Sequence, residues 1–345
     1  MKKSIVLFLL LCMLALLVPG SKDVTSDIIS KAEAITEQSV MVVDTNKMIA
    51  AFIEEKINTL DKELEALDNT KQGWGQGRQV DHYNRPVSAI AFQTKYGKYG
   101  AIYIGENTNK IYLTFDEGYE NGYTPTILDV LKERGVPAVF FVTYDYAKRN
   151  PDLVQRMIDE GHVVGNHSYT HPSMPTLSIE KASIEITTLH NFIKENFNYT
   201  MTLFRPPMGE FSERTLTLTK SLGYKSVFWS FAYVDWDTRK QMGADKAYAK
   251  VVGGLHNGAV YLLHAVSKDN AEILGAFIDE QKKGAISLQN CLRSDIPPSY
   301  AKGLTGAIMF NRRSIITGII RSILSPAISH NPSGYPNFVL CLLLA

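Results

Sequence analysis

Several polar residues of types that can do chemistry lie where apolar segments of the sequence end. Asp116 and Glu117 close one apolar segment, and His264 closes another. The other members of the set lie at or just past the ends of further apolar segments: His167, His171, Arg205 and Asp235. Imidazoles and carboxylates bind divalent metal ions, and a positioned histidine or carboxylate can also move a proton. These residue types together indicate metal-assisted hydrolysis.

His167 and His171 form an H-x-x-x-H pair that follows an apolar segment. Pro172 and Pro175 come directly afterwards, so a tight loop rather than a helix presents the two rings. Two histidines and one carboxylate make a facial ligand set that leaves positions open for water and substrate. Taken alone, the two histidines could also be solvated side chains of a surface loop. The acidic pair Asp116 and Glu117, at the end of another apolar segment, favours a metal site instead.

Asp116 and Glu117 are adjacent residues followed by Gly118. Adjacent side chains of a strand point to opposite faces, but a glycine lets the chain turn so that both carboxylates can reach one rim. One carboxylate would bind the metal, and the other would accept a proton from the attacking water. An acidic pair that caps a helix is the structural alternative.

His264 is of a type that can protonate a leaving amine, and a packed rim histidine is the alternative. Asp235 is the natural carboxylate to orient this imidazole and hold it cationic. Arg205 can pair with a catalytic carboxylate and keep it ionised. Trp236 fits either a packing role or the wall of a small acyl pocket.

From about residue 110, apolar segments alternate with amphipathic ones, which predicts strands followed by helices in a parallel sheet. We predict an α/β fold, a distorted (β/α) barrel of about seven strands, because side chains at the carboxyl ends of barrel strands meet on one rim. An open doubly wound sheet is the alternative, although no glycine-rich phosphate loop follows any strand. The predicted strands cover residues 110–115, 136–143, 162–166, 203–205, 226–231 and 259–264. The predicted helices cover residues 125–134, 151–160, 178–197, 212–222, 245–252 and 270–283, with Asn150 and Ser212 as N-caps.

The amino-terminal residues are typical of an exported protein. Lys2 and Lys3 precede an apolar run over residues 5–18, which is the pattern of an export signal. The run is shorter than the roughly 20 residues of a comfortable membrane span. No clear small-x-small cleavage site follows, so an uncleaved membrane anchor is the alternative. We assign residues 1–21 to an export signal or amino-terminal anchor and expect the protein outside the cytoplasm.

The rest of the chain divides into four segments. Residues 22–72 are predicted to form a helical spacer, and residues 73–104 a loop-rich connection. Residues 105–284 form the main domain. Residues 285–345 fit no further βα unit. That tail is either a genuine appendage or the product of a reading-frame change, and we favour the frame change.

Charge and cysteine content exclude several classes of function. The formal net charge is +1, so the chain offers no basic field for nucleic acid. Its three cysteines, at positions 12, 291 and 341, make no disulfide framework. No thiol lies near the polar cluster, which excludes cysteine nucleophiles and cysteine-ligated zinc there.

Five segments resemble, in order and spacing, the motifs of the NodB-type polysaccharide deacetylase family, carbohydrate esterase family 4. The resemblance covers roughly residues 105–284. Within the family, residues 116–122, 205–212, 228–236 and 262–272 are most similar to the branch of spore formers that deacetylates N-acetylmuramic acid on the route to muramic δ-lactam. The motifs are Thr114-Phe-Asp-Glu-Gly118, His167-Ser-Tyr-Thr-His171, Arg205-Pro-Pro207, Asp235-Trp236 and Leu262-Leu-His264.

The resemblance implies a role for each site residue. Asp116 would be the general base, positioned by Arg205, and His264 the general acid, oriented by Asp235. The ligands of a divalent metal, zinc first and other divalent ions as alternatives, would be Glu117, His167 and His171. Substrate contacts would come from Tyr119, Met208, Trp236 and Leu262, with the Met208 N–H helping to form the oxyanion site. Two positions depart from the family pattern, since Glu117 replaces an aspartate and Met208 replaces a frequent tyrosine.

The implied activity is metal-dependent hydrolysis of N-acetyl groups in peptidoglycan, in the cell wall or spore envelope. The implied partner is the glycan strand of peptidoglycan, with no nucleic acid, and the sequence predicts no oligomeric state. Deacetylation of chitin-like oligosaccharides or xylan is the alternative enzyme activity. A sugar-binding protein with a silenced site and a two-carboxylate glycosidase are alternatives of other classes, and loss of activity on chelation would exclude the glycosidase.

Overall fold

The computed structural model describes residues 54–283, together with residues 30, 48, 49, 51, 52, 287 and 288. The described residues belong to two units, one ending at Lys62 and the other beginning at Glu63. Those of the first unit are helical, as predicted for the spacer, and helical conformation ends at residue 65. No helix in the described part has the length and apolar character needed to cross a bilayer. The predicted export signal and almost all of the predicted tail lie outside the described residues.

A curled parallel sheet forms the centre of the second unit. The strands are β1 (Gln72–Gly73), β2 (Ala101–Ile102), β3 (Lys110–Glu117), β4 (Val139–Val142), β5 (Val163–Asn166), β6 (Leu203–Phe204), β7 (Glu210–Phe211), β8 (Lys225–Val227), β9 (Phe231–Ala232), β10 (Ala259–His264) and β11 (Ser287–Leu288). Their order in the sheet is β2-β8-β6-β5-β4-β3-β10-β9, and β11 pairs with β3. A small second sheet is antiparallel and consists of β1 and β7. The predicted barrel-like fold is confirmed, with eight strands on the main path instead of about seven.

The two ends of the sheet come together through one short stretch of chain. The segment predicted as a single strand over residues 226–231 is instead two strands: β8, which lies next to the end strand β2, and β9, which is the strand at the other end of the sheet order. Between them, the Phe228 N–H donates to the carbonyl of Ile102 (2.8 Å) and the Ser230 N–H to that of Val260 (2.9 Å). The change of hydrogen-bond partner ends the pairing of β8 with β2 and begins the pairing of β9 with β10. The chain itself therefore crosses the open side of the barrel.

Helices alternate with the strands, as the amphipathic pattern predicts. They are α1 (Val87–Tyr96), α2 (Thr124–Glu133), α3 (Tyr144–Arg149), α4 (Pro151–Asp159), α5 (Ile179–Phe197), α6 (Glu213–Ser221), α7 (Ala244–Gly253) and α8 (Lys268–Lys283). The Ser212 side chain caps α6 as predicted and forms a reciprocal capping box with Thr215. Asn150 occupies the N-cap position of α4 but does not cap it. Its amide donates instead to the carbonyl of Tyr146 (3.0 Å), because α3 ends directly before it.

The connection over residues 73–104 is more ordered than its loop-rich composition suggests. It contains α1 and β2, and several of its large side chains, among them Trp74, Tyr96 and Tyr103, belong to the hydrophobic core. The ring of Tyr103 stacks on that of Phe228 with centroids 4.3 Å apart, and Trp74 lies edge-on to Tyr103 at 4.6 Å. Burial of such rings supplies a large apolar contribution to stability. This segment is therefore part of the folded domain.

Candidate active site

The carboxyl ends of β3 and β10 bring the predicted base and acid together. The two strands are parallel neighbours, and Asp116 is in register with His264. Both strands are continuous apolar runs, as expected for strands buried on both faces, up to the polar residues at their ends. The loops after β5 and β6 add His167, His171 and Arg205. The polar residues predicted to share one rim are thus placed at carboxyl strand ends.

Arg205 is completely buried and holds one oxygen of Asp116. Its Nη1 donates to Asp116 Oδ1 at 2.6 Å, and its Nη2 donates to the Thr114 hydroxyl at 2.7 Å. The guanidinium also donates to the carbonyls of Val227 (3.1 Å) and Phe228 (3.2 Å). A buried charge is tolerated only when it is paired and hydrogen-bonded, and these contacts satisfy that condition. Arg205 therefore fixes the position of Asp116.

The support beneath Arg205 is aromatic and tightly packed. The guanidinium carbon lies 4.2 Å from the ring centroid of Phe141, within cation–π range. Gly165 on the neighbouring strand leaves the space that this ring occupies, since a Cβ at that position would collide with the Phe141 ring. The ring and the carbonyl acceptors hold the guanidinium on several sides. The geometry of the Asp116–Arg205 pair is therefore set by the core of the barrel.

Asp116 is ionised although it is nearly buried. Burial would raise the pKa of this carboxyl, but Arg205 first, and then His167 and His264, hold the pKa below its ordinary value. Oδ1 is occupied by Arg205, whereas Oδ2 lies 3.5 Å from Nε2 of His167. A carboxylate with one anchored oxygen and one oxygen facing the histidines can accept a proton from a water molecule there.

The H-x-x-x-H segment is a loop whose backbone presents both rings. Ser168 and His171 adopt left-handed backbone conformations, with φ of 70° and 60°. The Ser168 hydroxyl accepts the His171 N–H at 2.9 Å, and the Ser168 N–H donates to the side chain of Asn166 at 2.9 Å. Glu185 of α5 accepts both the N–H and the hydroxyl of Thr170, each at 2.7 Å. The strained loop is held by these bonds and turns both imidazoles to one point.

Both imidazoles have the chemical state that a metal ligand requires. His167 Nδ1 lies 2.9 Å from the Arg205 carbonyl, which assigns the Nδ1 proton to that bond and leaves Nε2 with its lone pair. Burial lowers the pKa of His167 to about 4, and burial also lowers the pKa of His171. The two Nε2 atoms are 3.1 Å apart. Two uncharged imidazoles aimed at one point fit a divalent ion of the zinc type.

Glu117 is not brought to the two histidines. It is still within β3, in register with Val142, so its side chain points to the opposite face from that of Asp116. The expected turn at Gly118 comes one residue too late to change this. Glu117 is fully buried, and neither carboxylate oxygen has a hydrogen-bond partner among the described residues. Burial first, and then Glu120 and Asp116, raise its pKa well above the ordinary value.

An orphaned buried carboxyl group requires either a proton or a cation. No three His, Cys, Asp or Glu side chains in the described part of the chain are arranged as a ready metal site. The structure thus assembles His167 and His171 as a ligand pair and places the predicted third ligand apart from them.

His264 is held as a proton donor by Asp235. The His264 Nδ1 lies 2.7 Å from Asp235 Oδ1, and the His264 N–H donates to Asp235 Oδ2 at 2.8 Å. Burial would lower the pKa of His264, but Asp235 first, through its charge and hydrogen bond, raises the pKa above its ordinary value. With Nδ1 bonded to Asp235, the Nε2–H is the group left to donate. The predicted pairing of these residues is what the structure shows.

The predicted substrate-binding residues fall into two groups. Tyr119, Met208 and Trp236 expose 53%, 53% and 56% of their surface, although large apolar side chains are usually buried. Met208 lies in a turn with φ of 58°, on the loop that follows Arg205. Leu262 is only 7% exposed and packs in the core cluster with Trp229. The first three can meet a ligand at the surface, whereas Leu262 supports the strand that carries His264.

Thr114 and Asn270 contact the site and were not assigned roles from the sequence. Thr114 receives a hydrogen bond from Arg205, and the Asn270 amide donates to Asp235 Oδ2 at 2.6 Å. Thr114 lies inside the first of the five motifs, whereas Asn270 lies six residues past the last one, and polar type was the only signal that the sequence offered for either. The sequence does not show the partner of either residue, because the partners are distant along the chain: Asn270 is 35 residues from Asp235, and Thr114 is 91 residues from Arg205.

A cavity of about 760 Å³ lies elsewhere, between α2 and α4. Its lining includes Arg156, Glu160 and His162 and none of the motif residues. His162 precedes β5, so this cavity is at the amino ends of the strands, opposite the rim described above. Active sites of barrel folds form at the carboxyl ends. We therefore take the motif rim, and not this cavity, as the candidate active site.

Comparisons with known proteins agree with this geometry. The sequence model of the polysaccharide deacetylase family matches residues 105–227. The chain is 44% identical over 223 residues to the peptidoglycan-N-acetylmuramic acid deacetylase PdaA of Bacillus subtilis, which covers 64% of this chain and 84% of the relative. It is 47% identical over 220 residues to an uncharacterized 30.6 kDa protein of Geobacillus stearothermophilus, covering 63% of this chain and 83% of that protein.

A solved structure has the same architecture. The structure of Bacillus subtilis PdaA, a family 4 carbohydrate esterase, matches with a TM-score of 0.61 and 42% sequence identity, covering 64% of this chain and 95% of that one. The likeness extends over most of each relative, and the rim that carries the motifs is complete at Asp116, Arg205, Asp235 and His264. The chain belongs to the polysaccharide deacetylase family, carbohydrate esterase family 4.

Proposed function

We propose that this protein removes the acetyl group from N-acetylmuramic acid in peptidoglycan, as a hydrolase of linear amides. The observation that carries the proposal is the opposed pair of Asp116 and His264 on neighbouring strand ends, one held ionised and the other held protonated. Pairs of titratable groups with pKa values pushed apart are typical of acid–base catalysis. The name of PdaA, a relative similar over 84% of its length, supports N-acetylmuramic acid as the substrate.

Asp116 is the general base in this proposal. Its Oδ2 takes a proton from water as the water oxygen bonds to the acetyl carbonyl carbon. Arg205 keeps the carboxylate ionised and immobile through its 2.6 Å bond to Oδ1. The fixed position matters because a displacement of about 1 Å can cost roughly 100-fold in rate.

His264 is the general acid. The tetrahedral intermediate collapses with cleavage of the carbon–nitrogen bond, and the Nε2–H of His264 gives its proton to the leaving amine. The products are acetate and the free amino sugar, so the proton taken by Asp116 is matched by the proton given by His264. Asp235 stabilises the imidazolium that must be present before this step.

The Met208 N–H is the proposed donor to the oxyanion of the intermediate. Met208 and Gly209 both have positive φ, 58° and 66°, which turns the loop sharply after Arg205. The Trp74 N–H donates to the Gly209 carbonyl at 3.0 Å and ties this turn to the small sheet of β1 and β7. A preorganised donor at the developing charge is usually worth more than one that must first be ordered.

A divalent metal, zinc first, is proposed as the cofactor. When bound, the ion would polarise the acetyl carbonyl and make water more acidic. His167 and His171 would hold it, since their uncharged rings meet at one point. Glu117 is the third ligand that we propose, because its buried carboxylate has no partner among the described residues. The structure does not bring Glu117 to the histidines, so its role needs a test of its own.

The exposed rim is proposed to receive the glycan strand. Tyr119, Met208 and Trp236 are surface side chains, and aromatic rings provide flat apolar faces against which sugar rings can lie. The formal net charge of +1 does not oppose a glycan. We propose no nucleic-acid partner and make no proposal on the oligomeric state.

The cellular setting follows from the substrate. Peptidoglycan lies outside the cytoplasm, and the apolar run over residues 5–18 after Lys2 and Lys3 suits export or membrane attachment. We propose that the protein acts in the cell wall or spore envelope. Once freed, the muramic amine can condense with the lactyl carboxyl group, forming the ring amide and releasing water. We propose that the product enters this route to muramic δ-lactam during sporulation.

The experiment that tests the substrate is product analysis of three glycans. Peptide-stripped peptidoglycan, chitin oligosaccharides and acetylated xylan are incubated with the protein, and the products are analysed by mass spectrometry. We expect N-acetylmuramic acid residues to lose the mass difference between an acetyl group and a hydrogen atom. Loss from N-acetylglucosamine alone, or from xylan alone, would reject the proposed substrate and leave a deacetylase of another glycan. No loss from any glycan would favour a silenced site.

A further inference from the structure

Asp235 has a second partner besides His264, and that partner is buried. The Asn270 side-chain nitrogen donates to Asp235 Oδ2 at 2.6 Å and to the His264 carbonyl at 3.1 Å. Both Asn270 and Asp235 are almost fully buried, at 2% and 1% exposure. The two N–H bonds of one amide thus hold both residues of the acid pair. Such a buried pair of bonds restricts the rotation of the Asp235 carboxylate.

The orientation of the Asn270 amide is set by its two acceptors and supported by Tyr233 on its other side. The Asp235 carboxylate and the His264 carbonyl can only accept, so the amide nitrogen must face them, and the amide oxygen accepts from the Tyr233 hydroxyl. A flipped amide would place its oxygen against the Asp235 carboxylate and lose both bonds. Tyr233 therefore completes the hydrogen bonding of an amide whose direction is fixed by Asp235 and the His264 carbonyl.

The backbone of Asn270 is held by the turn that follows His264. The Asn270 N–H donates to the Ser267 hydroxyl at 3.2 Å, and this hydroxyl donates to Gln241 at 2.6 Å. The Gln241 amide donates in turn to the Asp235 carbonyl at 2.9 Å. The start of α8 is thus joined to the loop of Asp235 by side chains on both sides. The position of Asn270 depends on the fold rather than on its own rotamer preference.

We propose that Asn270 is a positioning residue for the general acid, and that Tyr233, Asn270, Asp235 and His264 act as one hydrogen-bonded chain. Asn270 locks Oδ2 of Asp235, so that Oδ1 stays directed at the His264 imidazole. The inference rests on the proposed function only for its effect on rate. Its structural part, the fixed orientation of His264, holds whatever the substrate.

The groups that face His264 define what a change at Asn270 can do. Asp235 and Asp116 favour the protonated imidazole, whereas Arg205 and His171 disfavour it, as does burial. Loss of the Asn270 bonds frees Asp235 to rotate and weakens the largest favourable interaction. We expect the imidazolium to become less stable in the variant, which moves the titration of His264 to lower pH.

The experiment compares Asn270→Leu and Tyr233→Phe with a matched control. Tyr261→Phe is the control, because it also removes one buried hydroxyl, which donates to the Val251 carbonyl at 2.9 Å, away from the acid pair. NMR titration of the imidazole signals in the folded, substrate-free protein reports the His264 pKa. We expect a lower His264 pKa in Asn270→Leu, a smaller change in Tyr233→Phe, and none in Tyr261→Phe.

Kinetics provide the second measurement. Asn270→Leu should lower kcat by roughly 10- to 100-fold with KM nearly unchanged, which is the size expected for a misplaced catalytic group. In a His264→Ala background, the same change should have almost no further effect on kcat, since residues acting through one group are not additive.

The possible failures are distinguishable. An unchanged His264 pKa in folded Asn270→Leu, together with additive effects in the His264→Ala background, would overturn the positioning role. Absence of acetate release by the unaltered protein, with the His264 pKa shift intact, would reject the proposed function and leave the positioning role standing. If Asn270→Leu does not fold, Tyr233→Phe supplies both measurements.

Discussion

Asp235→Asn should remove most of the activity while leaving the fold unchanged, because the new amide has almost the same shape. The structure determines how that amide must sit. The position of Oδ2 receives two donors, the His264 N–H and the Asn270 amide, so only the new carbonyl oxygen can occupy it. The new NH₂ group then faces His264 Nδ1. That nitrogen becomes an acceptor, and the doubly protonated imidazole can no longer form.

The magnitude follows from the step that is lost. General acid catalysis contributes about 10²–10⁴-fold to rate. Each tenfold loss corresponds to about 1.36 kcal/mol of barrier, so kcat should fall by a factor equivalent to about 3–5 kcal/mol. KM should change little, since Asp235 is buried and does not meet the substrate.

The assay is acetate release from peptide-stripped peptidoglycan, with 4-nitrophenyl acetate as a second substrate. Its leaving group departs without a proton, so Asp235→Asn should affect ester hydrolysis far less than amide hydrolysis. Thermal unfolding checks that the variant is folded. A kcat on peptidoglycan within about tenfold of the unaltered protein, or an equal loss on both substrates, would refute the assignment of His264 as the general acid.

Three further predictions concern the base, the metal and the support of the site. Asp116→Asn should abolish acetate release while zinc still binds in calorimetric titration, and retained turnover would remove Asp116 as the base. Glu117→Gln should weaken zinc binding by about tenfold or more if Glu117 is a ligand, and unchanged affinity would exclude it. Gly165→Ala should lower the free energy of unfolding by about 1–3 kcal/mol in denaturant titration, because the added Cβ meets the Phe141 ring. An equal or higher stability would contradict that packing argument.

The dependence of kcat/KM on pH, which reports the pKa values of the substrate-free enzyme, adds a further expected outcome. Because the pKa of Asp116 is lowered, the base stays ionised at pH values below the ordinary pKa of an aspartate. Because the pKa of His264 is raised, the acid stays protonated at pH values above the ordinary pKa of a histidine. The midpoint of the acidic limb of the pH–rate profile should therefore lie below the ordinary pKa of an aspartate, and the midpoint of the alkaline limb above the ordinary pKa of a histidine. A pH–rate profile with its alkaline limb below the ordinary histidine value would contradict the assigned environment of His264.

The parts of the fold predicted from the sequence are those with a strong periodic signal. The strands ending at Asp116 and His264 are continuous apolar runs, and the amphipathic helices between strands have clear caps such as Ser212. Local pattern is sufficient in these places because burial on both faces leaves few alternatives. The polar residues at the strand ends could be predicted for the same reason.

Elements that depend on distant partners could not be predicted. The two-residue strand β2 has no pattern of its own and exists because β8 pairs with it. The chain over residues 226–231 reads as one apolar strand, but it divides where its hydrogen bonds change partner from Ile102 to Val260. Short strands of this kind are determined by tertiary contacts rather than by propensity.

The site shows the same division. Residue types and spacing predicted the Asp235–His264 pair, which the structure confirms geometrically. The direction of Glu117 depended on whether β3 ends before or after it, and one residue of register reverses the face to which a side chain points. Asn270 could not be assigned because a buried asparagine is equally consistent with a purely structural bond.

The measurement that tests the central claim most directly is acetate release from peptide-stripped peptidoglycan, made with the unaltered protein and with Asp116→Asn side by side. Each is assayed after chelation and again after zinc is restored. We expect release by the unaltered protein that is lost on chelation and recovered with zinc, and no release by the variant under any condition. Release that persists in folded Asp116→Asn, or no release at all by the folded, zinc-loaded unaltered protein, would contradict this expectation.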